Sequence, residues 1–143
     1  MTTCAHCGTT DQALHYRSGK MALCYDCQNY RNLTTKKTGG GVKFSREQFV
    51  TWKRSAPERR KCSYCGIDSP GLQKLGAGNA RTKRPYESIG VDRIDNSKPY
   101  TLDNIVPCCG ACNAIKGSIL TDTEMREVGK VLSKLWAARI AAA

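Results

Sequence analysis

Four Cys-x-x-Cys pairs constrain the fold of this chain more than any other feature of its sequence. Two residues between cysteines form a tight knuckle that points both sulfurs at one ion, and two knuckles complete a closed tetrahedral zinc site. The first set is Cys4, Cys7, Cys24 and Cys27, and the second is Cys62, Cys65, Cys109 and Cys112. A redox use of Cys-x-x-Cys does not explain four such pairs. We therefore predict two structural zinc ions, with Cys108 left over.

The length and the N-terminus narrow the class of protein. A chain of 143 residues accommodates one domain or two small modules. No stretch approaches 18 consecutive apolar residues, which excludes a membrane span from the expected features. Residues 1–4 lack the basic and apolar segments of a secretory signal. We expect a cytoplasmic, reducing location, in which thiolates bind metal and do not form disulfides.

The charge distribution predicts a polyanionic partner. Lysine and arginine total 23 against 12 acidic residues, a net charge of +11, and residues 31–61 hold ten basic side chains but only two acidic ones. Binding to phosphates releases counterions and favours association with such a segment, although a solvated surface has the same composition. The candidate nucleic-acid contacts are Arg31, Asn32, Lys36, Lys37, Lys43, Arg81, Lys83 and Arg84.

Two capping boxes predict helices on either side of the second cysteine set. Residues 45–48 open a short helix through Phe49, Val50 and Trp52, which we interpret as core residues and not as a base-stacking platform. Residues 121–124 open an amphipathic C-terminal helix with apolar side chains at positions 125, 128, 131, 132, 135 and 140. This helix either closes the domain or pairs with its copy in a dimer. Residues 72–88 have the composition of a long basic loop.

The centre of the chain predicts a strand–strand–helix unit. Residues 89–94 and 104–107 have the pattern of short strands, and residues 112–119 fit a helix that begins at the second zinc knuckle. If these elements pack together, Asp92 and Asn113 converge and supply one carboxylate and one amide oxygen to Mg²⁺. An Asp beside an Arg also fits a salt bridge, and an Asn after a cysteine also fits a helix cap.

The same region resembles the HNH, or ββα-metal, nuclease signature with its structural zinc. The resemblance rests on Val91-Asp92-Arg93-Ile94-Asp95, Tyr100, Asn104-Ile105-Val106-Pro107, Cys109-Gly110-Ala111-Cys112-Asn113 and Ile115-Lys116-Gly117. The wider layout is similar to the rare-cutting type II restriction endonucleases of this family. It implies a small zinc-stabilised α+β protein, with an N-terminal zinc module and basic arm in residues 1–43. Residues 44–143 would form the ββα-metal nuclease domain and its C-terminal helix.

The resemblance implies a sequence-specific endonuclease, encoded by a bacterium or a phage, that hydrolyses duplex DNA. It would act as a homodimer on a palindromic site, with two structural zinc ions per chain and one catalytic Mg²⁺ or Mn²⁺ per active site. Two alternatives stay open at the level of the sequence. One is an HNH homing or nicking endonuclease, of the kind that phages carry, and the other is a zinc-containing DNA-binding module without catalysis.

The resemblance also implies roles for individual residues. Asp92 and Asn113 would bind the catalytic metal, and Asn104 would brace the loop between the strands. Arg93 stands where most members have the general-base histidine, and because a guanidinium stays protonated it is expected to hold the scissile phosphate. Tyr64 is the candidate base, with a pKa lowered by Arg93 and the bound cation. A tyrosine that only packs over the zinc knuckle is the alternative for that position.

Overall fold

The computed structural model describes residues 3–11, 22–35, 41–79 and 81–142. The basic residues Lys36 and Lys37, which we expect to contact nucleic acid, lie outside these ranges. The elements in chain order are α1 (Tyr25–Thr35), α2 (Arg46–Arg54), a 3₁₀ turn (Pro57–Arg60), α3 (Ser69–Leu75), β1 (Gly90–Arg93), β2 (Ile105–Cys108), α4 (Gly110–Lys116) and α5 (Asp122–Ala142). No helix in the described ranges is long and apolar enough to cross a membrane.

The predicted strand–strand–helix unit is confirmed: the strand bounds are shifted by one residue, and the helix begins two residues and ends three residues earlier than predicted. β1 and β2 pair antiparallel, with Asp92 opposite Val106 and Arg93 opposite Ile105. Because side chains alternate along a strand, Asp92 and Arg93 project from opposite faces of this small sheet. α4 follows β2 directly, with Cys109 as its N-cap.

The sheet separates two hydrophobic clusters. On the Asp92 face, the second cysteine set packs with Tyr64, Ile89 and the buried face of α5. On the Arg93 face, Phe44, Phe49 and Tyr100 form an aromatic and aliphatic cluster with Leu33 and Ile105, in which the Phe44 and Phe49 rings stack with centroids 5.7 Å apart. A third and smaller cluster surrounds the first cysteine set.

Helix α2 contributes side chains to two of these clusters, the aromatic one and the one around the first cysteine set. Its sequence explains why the helix forms. The Ser45 hydroxyl accepts a hydrogen bond from the Gln48 amide and the Gln48 side chain accepts one from the Ser45 amide, so the predicted capping box is present. Phe49 is buried in the aromatic cluster and Val50 packs against the first cysteine set. Trp52 is partly buried beside Phe49. The three apolar residues of α2 are therefore core residues, as predicted.

The C-terminal helix closes the domain. Thr121 and Glu124 exchange side-chain to backbone hydrogen bonds and form the predicted capping box. The buried residues of α5 are Met125, Gly129, Leu132 and Trp136. Val131 and Leu135, which the apolar pattern assigns to the same helix face as Leu132, are 58% and 48% exposed.

The segment predicted as a long basic loop begins as a helix. Asp68 caps α3 by accepting a hydrogen bond from the Gly71 amide, Leu72 is buried, and Gly76 ends the helix in the left-handed conformation. The loop prediction was therefore wrong for residues 72–75. Leu72 is the buried residue of α3, and one buried position does not establish the helical periodicity that would predict a helix of seven residues.

Candidate active site and zinc centres

The first cysteine set forms a four-sulfur cluster. The sulfurs of Cys4, Cys7, Cys24 and Cys27 lie within 4.8 Å of one another. Arg54 of α2 donates hydrogen bonds to the Cys24 and Cys7 sulfurs at 3.3 and 3.5 Å, and its Nε donates to Asp26 at 3.0 Å. A cation at this position offsets the negative charge of thiolate ligands. The cluster has the composition and spacing of a structural zinc site.

Asp26, between the two cysteines of the second knuckle, ties this centre to the rest of the chain. Its carboxylate is buried and is held by Arg54 and by both terminal nitrogens of Arg60. Burial by itself would raise the pKa of Asp26, but the hydrogen bonds and charges of Arg60, together with Lys53 and Arg54, hold the pKa below its usual value.

The second cysteine set is fully buried and lies beside the ββα unit. The sulfurs of Cys62, Cys65, Cys109 and Cys112 also lie within 4.8 Å of one another. Cys109 is both a candidate ligand and the N-cap of α4, because its sulfur accepts a hydrogen bond from the Cys112 amide. The leftover Cys108 packs in the adjoining core. Both clusters are compatible with zinc, and the second fixes the start of α4 next to β1.

Asp92 is the centre of the candidate active site. Its carboxylate is buried on the face of β1 that packs against the second cysteine set, and Oδ2 receives the Lys116 ammonium at 2.8 Å. The hydroxyl of Tyr64 lies 3.4 Å from the same oxygen and donates to Asp122 Oδ1 at 2.9 Å. The zinc knuckle, β1, α4 and the first turn of α5 therefore contribute one residue each to a buried polar cluster.

Tyr64 is held as a neutral phenol in this cluster. Burial raises the pKa of Tyr64 far above its usual value, and the hydrogen bond to Asp122 and the charge of Asp92 act in the same direction. The sequence predicts the opposite shift, on the premise that both Arg93 and a bound cation lie beside Tyr64. The cation beside Tyr64 is instead Arg126, whose guanidinium carbon is 5.5 Å from the centre of the tyrosine ring.

Arg93 lies on the other face of the sheet. Its guanidinium stacks over the Tyr100 ring at 4.9 Å and donates to the carbonyl of Lys98 at 3.1 Å. Strand alternation explains this position, because Arg93 follows Asp92 and must project from the opposite face. The structure therefore does not bring Arg93 to Tyr64.

The two asparagines with expected roles occupy different environments. Asn104 is buried: its Oδ1 accepts from the Asp95 amide, and its Nδ2 donates to the carbonyls of Asp95 and Pro99. These bonds span the loop between the strands. Asn113 is exposed on α4, and no hydrogen bond joins its side chain to another residue in the described part of the chain.

Asn113 also lines a groove that reaches α1. The groove has a volume of about 400 Å³, and its walls include Asn32, Glu87 and Gly90. It brings one expected DNA-contacting residue, Asn32, to the same depression as one expected metal ligand. The remaining described candidates for DNA contact, Arg31, Lys43, Arg81, Lys83 and Arg84, are exposed.

Sequence reasoning missed the roles of Lys116 and Asp122. Lys116 lies one helical turn beyond Asn113, so helix periodicity could have placed it near the site once α4 was known to begin at Gly110. Asp122 carried no such signal, since it appears in the sequence as an ordinary acidic residue in a helix first turn. Only the packing of α5 on the zinc knuckle brings it to Tyr64.

The fold and the site together define a class of protein. A two-stranded antiparallel sheet followed by a helix, with a four-cysteine centre at the helix start and a buried aspartate on the first strand, is the HNH or ββα-metal architecture. No protein-family model and no curated protein sequence matches this chain.

A comparison with solved structures identifies a relative of this chain. The chain is similar to PacI, a rare-cutting HNH restriction endonuclease, with a TM-score of 0.83 and 31% sequence identity. The match covers 97% of this chain and 98% of the PacI chain. The chain therefore belongs to the family of HNH restriction endonucleases.

Proposed function

We propose that this protein is a divalent-metal-dependent endonuclease that cleaves duplex DNA at a specific sequence, as a homodimer on a palindromic site. The observation that carries the proposal is the match to PacI, which extends over nearly the whole of both chains. A match confined to the ββα unit would support nuclease chemistry alone. The N-terminal zinc module and the C-terminal helix match as well, and this supports a restriction type of enzyme.

In this proposal Asp92 and Asn113 would hold the catalytic Mg²⁺ or Mn²⁺. Asp92 offers a carboxylate and Asn113 offers an amide oxygen with no competing hydrogen bond in the described residues. Oxygen ligands of this kind suit Mg²⁺, which retains several waters and also binds substrate phosphate. A bound divalent cation would supply positive charge against the phosphate and the leaving oxygen.

Tyr64 and Asp122 together offer a route for the proton of the attacking water. The Tyr64 proton lies in a 2.9 Å hydrogen bond to Asp122 Oδ1. The phenol oxygen can therefore accept a proton from water while its own proton passes to Asp122, so that no free phenolate forms. This relay reconciles a base role for Tyr64 with its raised pKa.

The basic side chains supply the contacts to DNA. Arg93 rests on the Tyr100 ring, on the face of the sheet opposite Asp92, so we assign it to a phosphate of the DNA backbone and not to the group at Tyr64. The net charge of +11 supports binding to the phosphate backbone along the exposed basic side chains. Residues 1–43 are proposed as the zinc module and basic arm, and residues 44–143 as the nuclease unit. A cytoplasmic location suits thiolate ligands.

Plasmid cleavage tests the proposal. The zinc-loaded protein is incubated with supercoiled plasmid and Mg²⁺, and the ends of the product are sequenced. We expect cuts in both strands at a site with two-fold symmetry, and a sedimentation mass of two chains. Cuts in one strand at asymmetric sites would show a nicking enzyme, and intact plasmid despite DNA binding would show a non-catalytic module.

Variants at the site test the assigned roles. Tyr64→Phe removes the hydroxyl and keeps the ring, so we expect DNA binding close to that of the wild type and the loss of most cleavage. Asp122→Asn is expected to lower the cleavage rate and leave the affinity for DNA unchanged. Cleavage by Tyr64→Phe within a few-fold of the wild-type rate would remove Tyr64 from the mechanism.

A further inference from the structure

Lys116 is a buried cation that the proposed mechanism does not use. Its side chain is 1% exposed, and its ammonium lies 2.8 Å from Asp92 Oδ2. It also donates to the Arg93 carbonyl at 3.0 Å and lies 3.4 Å from Asn96 Oδ1. These contacts fix the ammonium against β1 and the loop that follows it.

The Lys116 contact changes what Asp92 can offer a metal ion. Oδ2 of Asp92 is occupied by the ammonium and faces the Tyr64 hydroxyl, while Oδ1 has no hydrogen bond to the described residues. The Asp92–Lys116 pair has no net charge. An incoming divalent cation therefore meets one open carboxylate oxygen and a fixed positive charge a few ångströms behind it, which opposes binding.

We propose that Lys116 is a positioning residue that keeps the affinity of the free protein for the catalytic cation low, so that the ion binds firmly only with DNA phosphate. The inference rests on the proposed metal site at Asp92. A phosphate brings the negative charge that the neutralised carboxylate lacks, and it also provides oxygen ligands that Mg²⁺ accepts. Metal binding and DNA binding are then mutually dependent.

The test measures Mn²⁺ binding without DNA. Zinc-loaded wild type and variants are titrated with Mn²⁺, and the free ion is followed by its electron paramagnetic resonance signal. Lys116→Gln keeps a hydrogen-bond donor but removes the charge, and Lys116→Met keeps the length of the side chain. We expect both to bind Mn²⁺ about ten-fold or more tightly than the wild type. Lys116→Arg keeps the charge and should bind as weakly as the wild type.

Two controls are needed, one for folding and one for the location of the bound Mn²⁺. Each variant must retain two zinc ions per chain and the circular dichroism of the wild type, and if Lys116→Met does not fold, Lys116→Gln decides the question. In Lys116→Gln, a second change of Asp92→Asn should remove the added Mn²⁺ binding, which assigns it to this site. Retention of that binding would overturn the proposal.

The result is distinct from a failure of the proposed nuclease activity. Tighter Mn²⁺ binding by Lys116→Gln would support the inference even if no DNA were cleaved. Equal affinity in the wild type and Lys116→Gln would overturn it even if both cleaved DNA, and would leave Lys116 as a purely structural partner of Asp92.

Discussion

The contact between α5 and the zinc knuckle gives a sharp prediction at Gly129. This glycine is buried on the inner face of α5, directly against the main chain of Tyr64. A Cβ at position 129 would overlap the carbonyl carbon and oxygen of Tyr64 and lie 3.0 Å from its Cα. Because the obstacle is backbone anchored between Cys62 and Cys65, a change of rotamer cannot relieve the overlap.

The magnitude for Gly129→Ala follows from two opposing effects. Alanine in a helix interior stabilises by about 1 kcal/mol relative to glycine. Overpacking of a tight core costs about 1–3 kcal/mol and occasionally more. The overlap with a fixed backbone places this site at or above the upper end of that range, so we expect a net loss of about 2 kcal/mol. For a chain of this size the melting temperature should fall by roughly 5–8 °C.

Thermal unfolding of zinc-loaded protein, followed by circular dichroism, measures the loss. Ser133→Ala, on the exposed side of the same helix, is the matched control and should change the stability by less than about 0.5 kcal/mol. Since Tyr64 must move with its backbone, Gly129→Ala should also lose cleavage more than DNA binding. A melting temperature equal to or above that of the wild type would show that α5 does not depend on this close contact.

Three further predictions address stability and metal binding. Lys53 is buried, and burial lowers its pKa to about 8 against the attraction of Asp26. Between about pH 8 and 10.5 the unfolded chain therefore binds more protons than the folded chain, and the free energy of unfolding should rise over this window by as much as about 3 kcal/mol. Urea unfolding at several pH values measures this rise. The same rise in Lys53→Met would contradict the role of Lys53. Asn104→Ala removes three loop hydrogen bonds and should cost about 2–4 kcal/mol in urea unfolding, whereas exposed Asn32→Ala should cost almost nothing. Arg54→Met should weaken one of the two zinc sites about ten-fold or more in chelator competition, and equal loss from both sites would refute the specific role of Arg54.

Local sequence signals predicted a large part of the fold because their physical basis is local. Capping boxes at Ser45 and Thr121 involve residues three positions apart, and both are present. The cysteine spacing predicted two four-sulfur clusters for the same reason, since each knuckle is a short loop closed on one ion. The bounds of β1 and β2 were predicted to within one residue.

Long-range packing was not available from the sequence. The apolar pattern of α5 does not distinguish Leu132, which is buried, from Val131 and Leu135, which are largely exposed. Strand alternation alone places Arg93 and Asp92 on opposite faces of β1, but which face meets the aromatic cluster depends on packing. The partner of Tyr64 likewise depends on where α5 begins against the knuckle. Neither relation is encoded within a short window of residues.

The sequence by itself determined two four-cysteine clusters, a ββα unit with Asp92 on its first strand, and an excess of basic side chains, because spacing, alternation and composition act over a few residues. The tertiary structure alone decided the surroundings of Asp92. Lys116 and Asp122 are separated from it by 24 and 30 positions in the chain, and only the packing of α4 and α5 around the second cysteine cluster brings their charges within reach. Electrostatic interactions depend on distance in space, and that distance is set when the helices pack.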